Sequence, residues 1–387
     1  MNRLLIHDCR LVTPEEELEG QEILVGEGRI LAFGPAGRIR RFSERLEAEG
    51  RRAAPGLIDV HVQGAGGADV LDGSLAALEA ISRTCARFGV TGFLATTVYR
   101  PGADNGHLAA AAAACGTELG GAELLGIHLE GPFIAPGKRG MIQPDSLAPV
   151  EGETLRGILE LTGGCLRMMT LAPELPGCLE LIAELRASGV VASFGHSEAD
   201  YEQTRAGIEA GIRHATHLFN AMRGIHHRDP GPIPALLEAA GLTAQLIADG
   251  VHIHPAVLRM ALHALGPDRA VLITDGMQAM GLPEGRYLYR GLPYESRGGT
   301  ARYTDGTLVG TTLGLSQLVG RCCRLGGLPA ARGLRAASLN AARLLGLEDR
   351  VGALEPGRVA DLVLLDADFS AWRTFKAGRC IHAAAKR

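Results

Sequence analysis

Short apolar runs, each followed by a longer stretch of helical period, fill most of the chain. The runs cover residues 57–62, 91–98, 124–130, 168–172, 190–194, 214–218, 244–248 and 270–274. They lack the in-and-out alternation of a half-exposed strand, and the segments between them are rich in Ala, Leu, Arg and Glu. Eight buried strands alternating with helices predict an α/β fold, a (β/α)₈ TIM-like barrel rather than an open doubly wound sheet. No Gly-x-Gly-x-x-Gly or Walker-type loop opens the first helix, which argues against a nucleotide cofactor.

The two ends of the chain have a different texture. Leu4-Leu5-Ile6, residues 22–25 and residues 29–33 are β-type runs, the last two joined by a Gly26-Glu27-Gly28 turn. Residues 359–365 and 372–375 repeat that texture at the other end, so the termini are expected to close into one small β-sandwich. The resulting division is 1–53 and 351–387 for the small β domain and 54–350 for the barrel. With 387 residues, the chain exceeds the roughly 250–300 at which one core stops growing, which fits two domains.

Composition narrows the function. Lys plus Arg number 39 and Asp plus Glu 43, a net charge of −4, which excludes a protein that must neutralise many phosphates of a nucleic acid. The eight cysteines include no Cys-x-x-Cys pair, so neither a disulfide framework nor a thiolate metal site is expected. No apolar run approaches the ~18 residues that would span a bilayer, and the N-terminus lacks a signal-peptide core. A cytoplasmic protein with no membrane partner is expected.

The informative residues are polar groups at the carboxyl ends of the strand runs: His61, Glu130, His196, His217 and Asp275. Any one of these histidines taken alone is more simply a hydrogen-bonded core residue. Five ionisable groups at one mouth of a barrel exceed that explanation, because strand ends converge there. A carboxylate with several imidazoles is a ligand mix suited to one divalent metal, zinc first, with iron, cobalt or manganese as alternatives. Such a metal activates water, so the expected chemistry is hydrolytic. Asp275, in Thr274-Asp275-Gly276, is either the proton acceptor for that water or the cap of the next turn.

These residues lie in recognisable strings: Pro55-Gly56-Leu57-Ile58-Asp59-Val60-His61, His128-Leu129-Glu130-Gly131-Pro132-Phe133, Gly195-His196-Ser197, His214-Ala215-Thr216-His217-Leu218-Phe219-Asn220-Ala221-Met222, Ala248-Asp249-Gly250-Val251-His252 and Thr274-Asp275-Gly276. In order along essentially the whole chain, they resemble the N-acetylglucosamine-6-phosphate deacetylases of the amidohydrolase superfamily. His-Leu-Glu-Gly-Pro and His-Leu-Phe-Asn-Ala-Met carry the resemblance to that branch. Pro-Gly-x-Ile-Asp and the stretch at 352–362 place only the superfamily.

The resemblance implies metal ligands at Glu130, His196 and His217, with His61 auxiliary, and the catalytic acid/base at Asp275. It implies substrate contacts at Asn220, Ala221, Arg228 and His252 for the sugar phosphate, and further contacts at Met141, Ile142, Gln143, Leu308, Val309 and Gly310. The implied reaction hydrolyses N-acetyl-D-glucosamine 6-phosphate to D-glucosamine 6-phosphate and acetate, in a homodimer. Rival readings are a deacetylase of another N-acyl sugar phosphate or N-acyl amino acid, and a catalytically silent binding protein.

Two departures from the family pattern stand out. Gln63 occupies the second histidine of a His-x-His pair, which favours one tight metal, and Met141-Ile142-Gln143-Pro144 stands where relatives often carry a carbonyl-polarising histidine. The adjacent His226 and His227 are read as exposed loop residues.

Overall fold

The computed structural model describes residues 3–385; Met1, Asn2, Lys386 and Arg387, within the expected terminal domain, lie outside the described residues. Eight parallel strands in sequential order form the central sheet: β1 (Leu57–Val62), β2 (Val90–Thr97), β3 (Glu123–Glu130), β4 (Leu166–Leu171), β5 (Val191–Phe194), β6 (His214–Ala215), β7 (Thr243–Leu246) and β8 (Ala270–Leu272). All eight expected strands are present. The circle closes where Val62 bridges Gly276, with Asp275 N donating to His61 O at 3.0 Å and Gln63 N to Gly276 O at 3.0 Å. Helices cover the outside through apolar stripes such as Leu78, Ile81 and Cys85 of Leu75–Arg87, a helix whose first turn is capped by Ser74 accepting from Ala77 N.

The chain ends meet in one eight-stranded sheet, with Leu362–Leu365 antiparallel to Arg52–Pro55 and Arg3–Val12 parallel to it. The expected turn at Glu27 and Gly28 has φ of 55° and 74°, the left-handed pair of a tight hairpin. That hairpin folds the far edge back: Ile30 N donates to Arg358 O and Ala360 N to Gly28 O. The sheet thereby encloses Ile6, Ile23, Val25 and Ile30 against Leu362, Leu364 and Phe375.

Two features depart from the pattern read in the sequence. Four antiparallel strands, Gly285–Tyr289, Leu292–Arg297, Thr300–Tyr303 and Leu308–Thr311, form an unanticipated insertion after β8. Its last strand returns to the barrel, since Thr311 N donates to Asp275 O at 2.9 Å. The barrel interior is also more polar than expected below the mouth: Asp59, His128, Thr170, Ser193, Thr216 and Gln245 are fully buried. Each has a partner. His128 Nε2 lies 2.8 Å from Thr170 Oγ1, Thr170 Oγ1 2.7 Å from Thr216 Oγ1, and Thr274 Oγ1 donates to Asp59 at 2.6 Å, so the desolvation of these groups is met by hydrogen bonds.

Candidate active site

Several strands deliver one polar side chain each to the carboxyl mouth. Glu130 is the last residue of β3, while His196 and His217 come just after β5 and β6, and Asp275 just after β8. His196, His217 and Asp275 all take a left-handed backbone, with φ of 50°, 30° and 49°. A side chain held there costs on the order of 1–3 kcal/mol, so the surrounding bonds must fix it. One such fixture is Gly310: a Cβ there would lie 2.4 Å from Asp275 O, so only glycine lets the returning strand touch the Asp275 backbone.

Three ligand atoms converge. Glu130 Oε1 lies 3.2 Å from His196 Nε2 and 3.2 Å from His217 Nε2, and the two imidazole nitrogens are 3.0 Å apart. His196 Nδ1 lies 2.7 Å from the Lys138 carbonyl oxygen, which can only accept, so Nδ1 carries the proton and Nε2 presents a lone pair unless the ring is charged. Lone pairs so placed, on three side chains that are themselves almost fully buried, call for a cation between them. Glu130, His196 and His217 form the group of ligand residues found among the described residues, and the donor set fits a divalent metal.

His61 lies underneath. Its Nε2 is 3.3 Å from Asp275 Oδ1 and 3.6 Å from Glu130 Oε2. Burial opposes charge on this ring, but the Glu130 and Asp275 carboxylates outweigh it and push its pKa up to about 9. Burial likewise opposes ionisation of Glu130, and His61, His196 and His217 overcome it to hold the carboxyl well below the usual carboxylate range. His217 is pushed down by burial, only partly offset by Glu130.

The cluster forms one wall of a cavity of about 250 Å³. Asn220, Ala221 and His252 line it, as do Met141, Leu308, Val309 and Gly310, so most of the expected contact residues are gathered there. Three are not. The Ile142 side chain is buried against Val98 and Ile134, because Met141 takes the cavity-facing position. Gln143 turns its amide back to Met141 O at 3.1 Å. Arg228 lies on an exposed loop with its guanidinium 2.7 Å from His227 Nε2; the Arg223–Asp229 ion pair closes that loop on itself, and Arg228 does not line the cavity. His226 and His227 are exposed beside it.

Other residues come to light only in the structure. Gln63 Nε2 faces Glu130 Oε2 at 3.4 Å and Asp275 Oδ1 at 3.3 Å, so the residue that is a poor ligand is instead a donor shared by two carboxylates. Asp249 receives Val251 N and His252 N at 2.8 Å each, and its other oxygen lies 2.7 Å from His252 Nδ1. The ring nitrogen bonded to Asp249 is thus Nδ1, leaving Nε2 for the cavity. The Asp-x-x-His spacing in Asp249-Gly250-Val251-His252 is the signal that could have revealed this pair. Glu174 accepts from Ser197 Oγ at 2.7 Å and Glu198 N at 2.6 Å, bracing the turn that carries His196; nothing in its sequence neighbourhood marks it.

The amidohydrolase family profile matches residues 52–283 and 302–381. An N-acetylglucosamine-6-phosphate deacetylase of Bacillus subtilis is 36% identical over 94% of this chain and 93% of its own. An N-acetylgalactosamine-6-phosphate deacetylase of Escherichia coli O157:H7 is 36% identical over 92% of this chain and 94% of its own. Among solved structures, a mutant N-acetyl-D-glucosamine-6-phosphate deacetylase of Mycobacterium smegmatis in complex with N-acetyl-D-glucosamine-6-phosphate is 32% identical, with a TM-score of 0.91 over 98% of this chain and 100% of that one. With its barrel, its Glu/His/His cluster and full-length relatives of this kind, the chain belongs to the amidohydrolase family, and within it to the branch of the N-acetylglucosamine-6-phosphate deacetylases.

Proposed function

We propose that this protein hydrolyses N-acetyl-D-glucosamine 6-phosphate to D-glucosamine 6-phosphate and acetate, a step of amino-sugar catabolism. The observation that carries the reading is the meeting of Glu130, His196 and His217 on the wall that also holds Asp275, in a cavity that His252 and Asn220 also line. A divalent cation on those three ligands, zinc in our reading, supplies Lewis-acid polarisation of the amide carbonyl and lowers the pKa of water.

The chain's own groups do the rest. Asp275 accepts the proton of the attacking water and returns it to the departing amine nitrogen. Gln63, donating to Asp275 Oδ1 at 3.3 Å, steers that carboxylate toward the reacting end. His252, backed by Asp249, binds the phosphate with Asn220 and the Ala221 backbone, and binding at that remote group places the acetamide. Met141, Leu308 and Val309 exclude water from one side of the sugar. All of these residues lie in the barrel segment 54–350, and the terminal sheet of 1–53 and 351–387 serves as its support.

Among the described residues no helix is long and apolar enough to cross a membrane; a homodimer in the cytoplasm completes the proposal, on the strength of the family resemblance. The Escherichia coli relative that acts on the galactosamine epimer is as similar as the Bacillus subtilis one, which favours N-acetylgalactosamine 6-phosphate as a second substrate reading. Acetate release measured on both sugar phosphates and on unphosphorylated N-acetylglucosamine, alongside the metal content of the purified protein, tests the proposal. Absence of turnover on either phosphorylated sugar by metal-replete protein would reject it.

A further inference from the structure

Behind the cavity one carboxamide ties together two residues of the site. Gln245 on β7 is fully buried, and its Oε1 lies 3.0 Å from His61 Nδ1 and 3.2 Å from the His217 backbone nitrogen. A peptide N–H can only donate, so the Gln245 atom facing it is the oxygen and not the amide nitrogen. The same orientation turns Nε2 toward Met168 Sδ at 3.7 Å, a weak acceptor. An amide oxygen cannot donate, so His61 Nδ1 carries a proton whether the ring is neutral or charged. His61 Nε2, buried and without a hydrogen-bond partner, is then the nitrogen left to face Asp275 and Glu130.

We infer that Gln245 is a positioning residue of the cation centre: its single oxygen fixes the Nδ1–H form of His61 and, through the His217 N–H, holds the left-handed backbone that aims the His217 ring at Glu130. This rests on the reading that Glu130, His196 and His217 hold a cation. The two functions share one acceptor, so loss of that oxygen disturbs the ligand set and His61 together. Neither strand's own ladder supplies a substitute, because His217 has already left β6. Groups that orient metal ligands from behind are typically worth about 10–100-fold in metal affinity.

The test uses the full chain. Zinc affinity is measured by competition with a chromophoric chelator for the wild type, Gln245→Met, which keeps the volume and removes the acceptor, and Gln245→Glu, which keeps an acceptor oxygen. A weakening of about 10–100-fold in Gln245→Met, with substantial recovery in Gln245→Glu, supports the inference; equal affinities for wild type and Gln245→Met overturn it. Histidine-selective ¹⁵N spectra of the zinc-loaded wild type give a readout that does not depend on any variant folding: His61 is expected with a protonated Nδ1, and a bare Nδ1 with protonated Nε2 overturns the proposal. A wild type that binds no zinc would instead remove the cation reading on which the inference stands, so the two failures are told apart.

Discussion

Replacing Asp275 by Asn tests the division between chemistry and binding most directly. The exchange is nearly isosteric, and Asn can still face the Gln63 amide that lies 3.3 Å from Oδ1, so the strained turn at φ 49° keeps its backbone contacts. What it removes is a proton acceptor. General acid–base catalysis is worth about 10²–10⁴-fold, and each decade corresponds to about 1.36 kcal/mol of barrier. The structure places the loss in the upper half of that range. The other ionisable residues lining the cavity are Glu130, Lys138, His196, His217 and His252; Glu130, His196 and His217 are committed to one another, and His252 is engaged by Asp249. His61 Nε2 lies 3.3 Å from Asp275 Oδ1 but beneath the cavity rather than on its wall. Asp275 is the one carboxylate among the described lining residues not engaged by His196 and His217, so we expect kcat to fall about 10³–10⁴-fold, or about 4–5.5 kcal/mol. The phosphate-end contacts are untouched, so KM should stay within about threefold. Initial rates of acetate release give kcat and KM, calorimetric titration of the variant with intact substrate gives affinity, and metal analysis with a thermal melt verifies that the site and fold persist. A kcat within tenfold of the wild type, or a fall in kcat matched by loss of binding, would refute the assignment of Asp275 as the proton carrier.

Other perturbations follow from the same geometry. Asp249→Asn weakens the hold on His252 and should raise KM for the phosphorylated sugar about tenfold while leaving kcat/KM for the unphosphorylated sugar unchanged; equal effects on both substrates would separate His252 from the phosphate. Gly310→Ala forces a Cβ toward Asp275 O, 2.4 Å away in the present backbone, and kcat should drop at least about tenfold with metal content preserved; wild-type kinetics would show that the returning strand does not set the Asp275 position. Chelation should abolish turnover and lower the melting temperature, since a cation at 100 times its Kd stabilises the fold by about 2.7 kcal/mol, and a melt unchanged by chelator would count against a folded-state metal site. Asp69 is pushed up from 3.8 to about 7 by burial, with Asp72 adding repulsion. A carboxyl whose folded pKa is raised contributes stability below about pH 4 that is lost as pH rises through about 7, at a cost of up to about 4 kcal/mol above it. Asp69→Asn should therefore raise the melting temperature at pH 8 relative to the wild type and leave little difference at pH 4, and denaturation curves at the two pH values decide it.

The sequence pattern was a reliable guide where a single physical demand governed each residue. Strands buried on both faces must be apolar, which is why all eight runs of the barrel were legible, and strand ends must converge, which is why Glu130, His196, His217 and Asp275 could be grouped before any coordinates. The pattern misled where two demands met. The run at 214–218 reads as a five-residue strand, yet β6 stops at Ala215, because His217 must turn its ring to Glu130. The run at 270–274 shortens in the same way before Asp275. The insertion at 285–311 was missed because its strands alternate Tyr, Leu and Arg with little apolar continuity, as at Gly285–Tyr289, where only Tyr289 is buried. Arg228 is set apart by the geometry: the resemblance names it as a substrate contact, and within this single chain its guanidinium faces His227 on an exposed loop rather than the cavity.

The same conflict of demands explains the polar layer beneath the site. A barrel filled only with aliphatic side chains would pack well, but it could not pin three left-handed turns at its rim, since dispersion contacts have no direction. Hydrogen bonds do. Asp59 receives Thr274 Oγ1 at 2.6 Å just before Asp275, the Thr170–Thr216–Ser193 hydroxyls meet at 2.6–2.7 Å just before His217, and Gln245 bonds both His61 and the His217 backbone. Thr274 and Thr216 directly precede Asp275 and His217, and Asp59, Thr170, Ser193 and Gln245 reach the rim by bonding to those threonines, to His61 or to the His217 backbone, where they can fix the turns' exit direction. The desolvation of these interior groups is offset by bonds among themselves, and the strain of the turns is borne by those bonds. The interior of this barrel is therefore organised as an anchor for the rim, and its polarity, which an apolar-run reading treats as noise, is part of how the chain holds its ligand atoms in place.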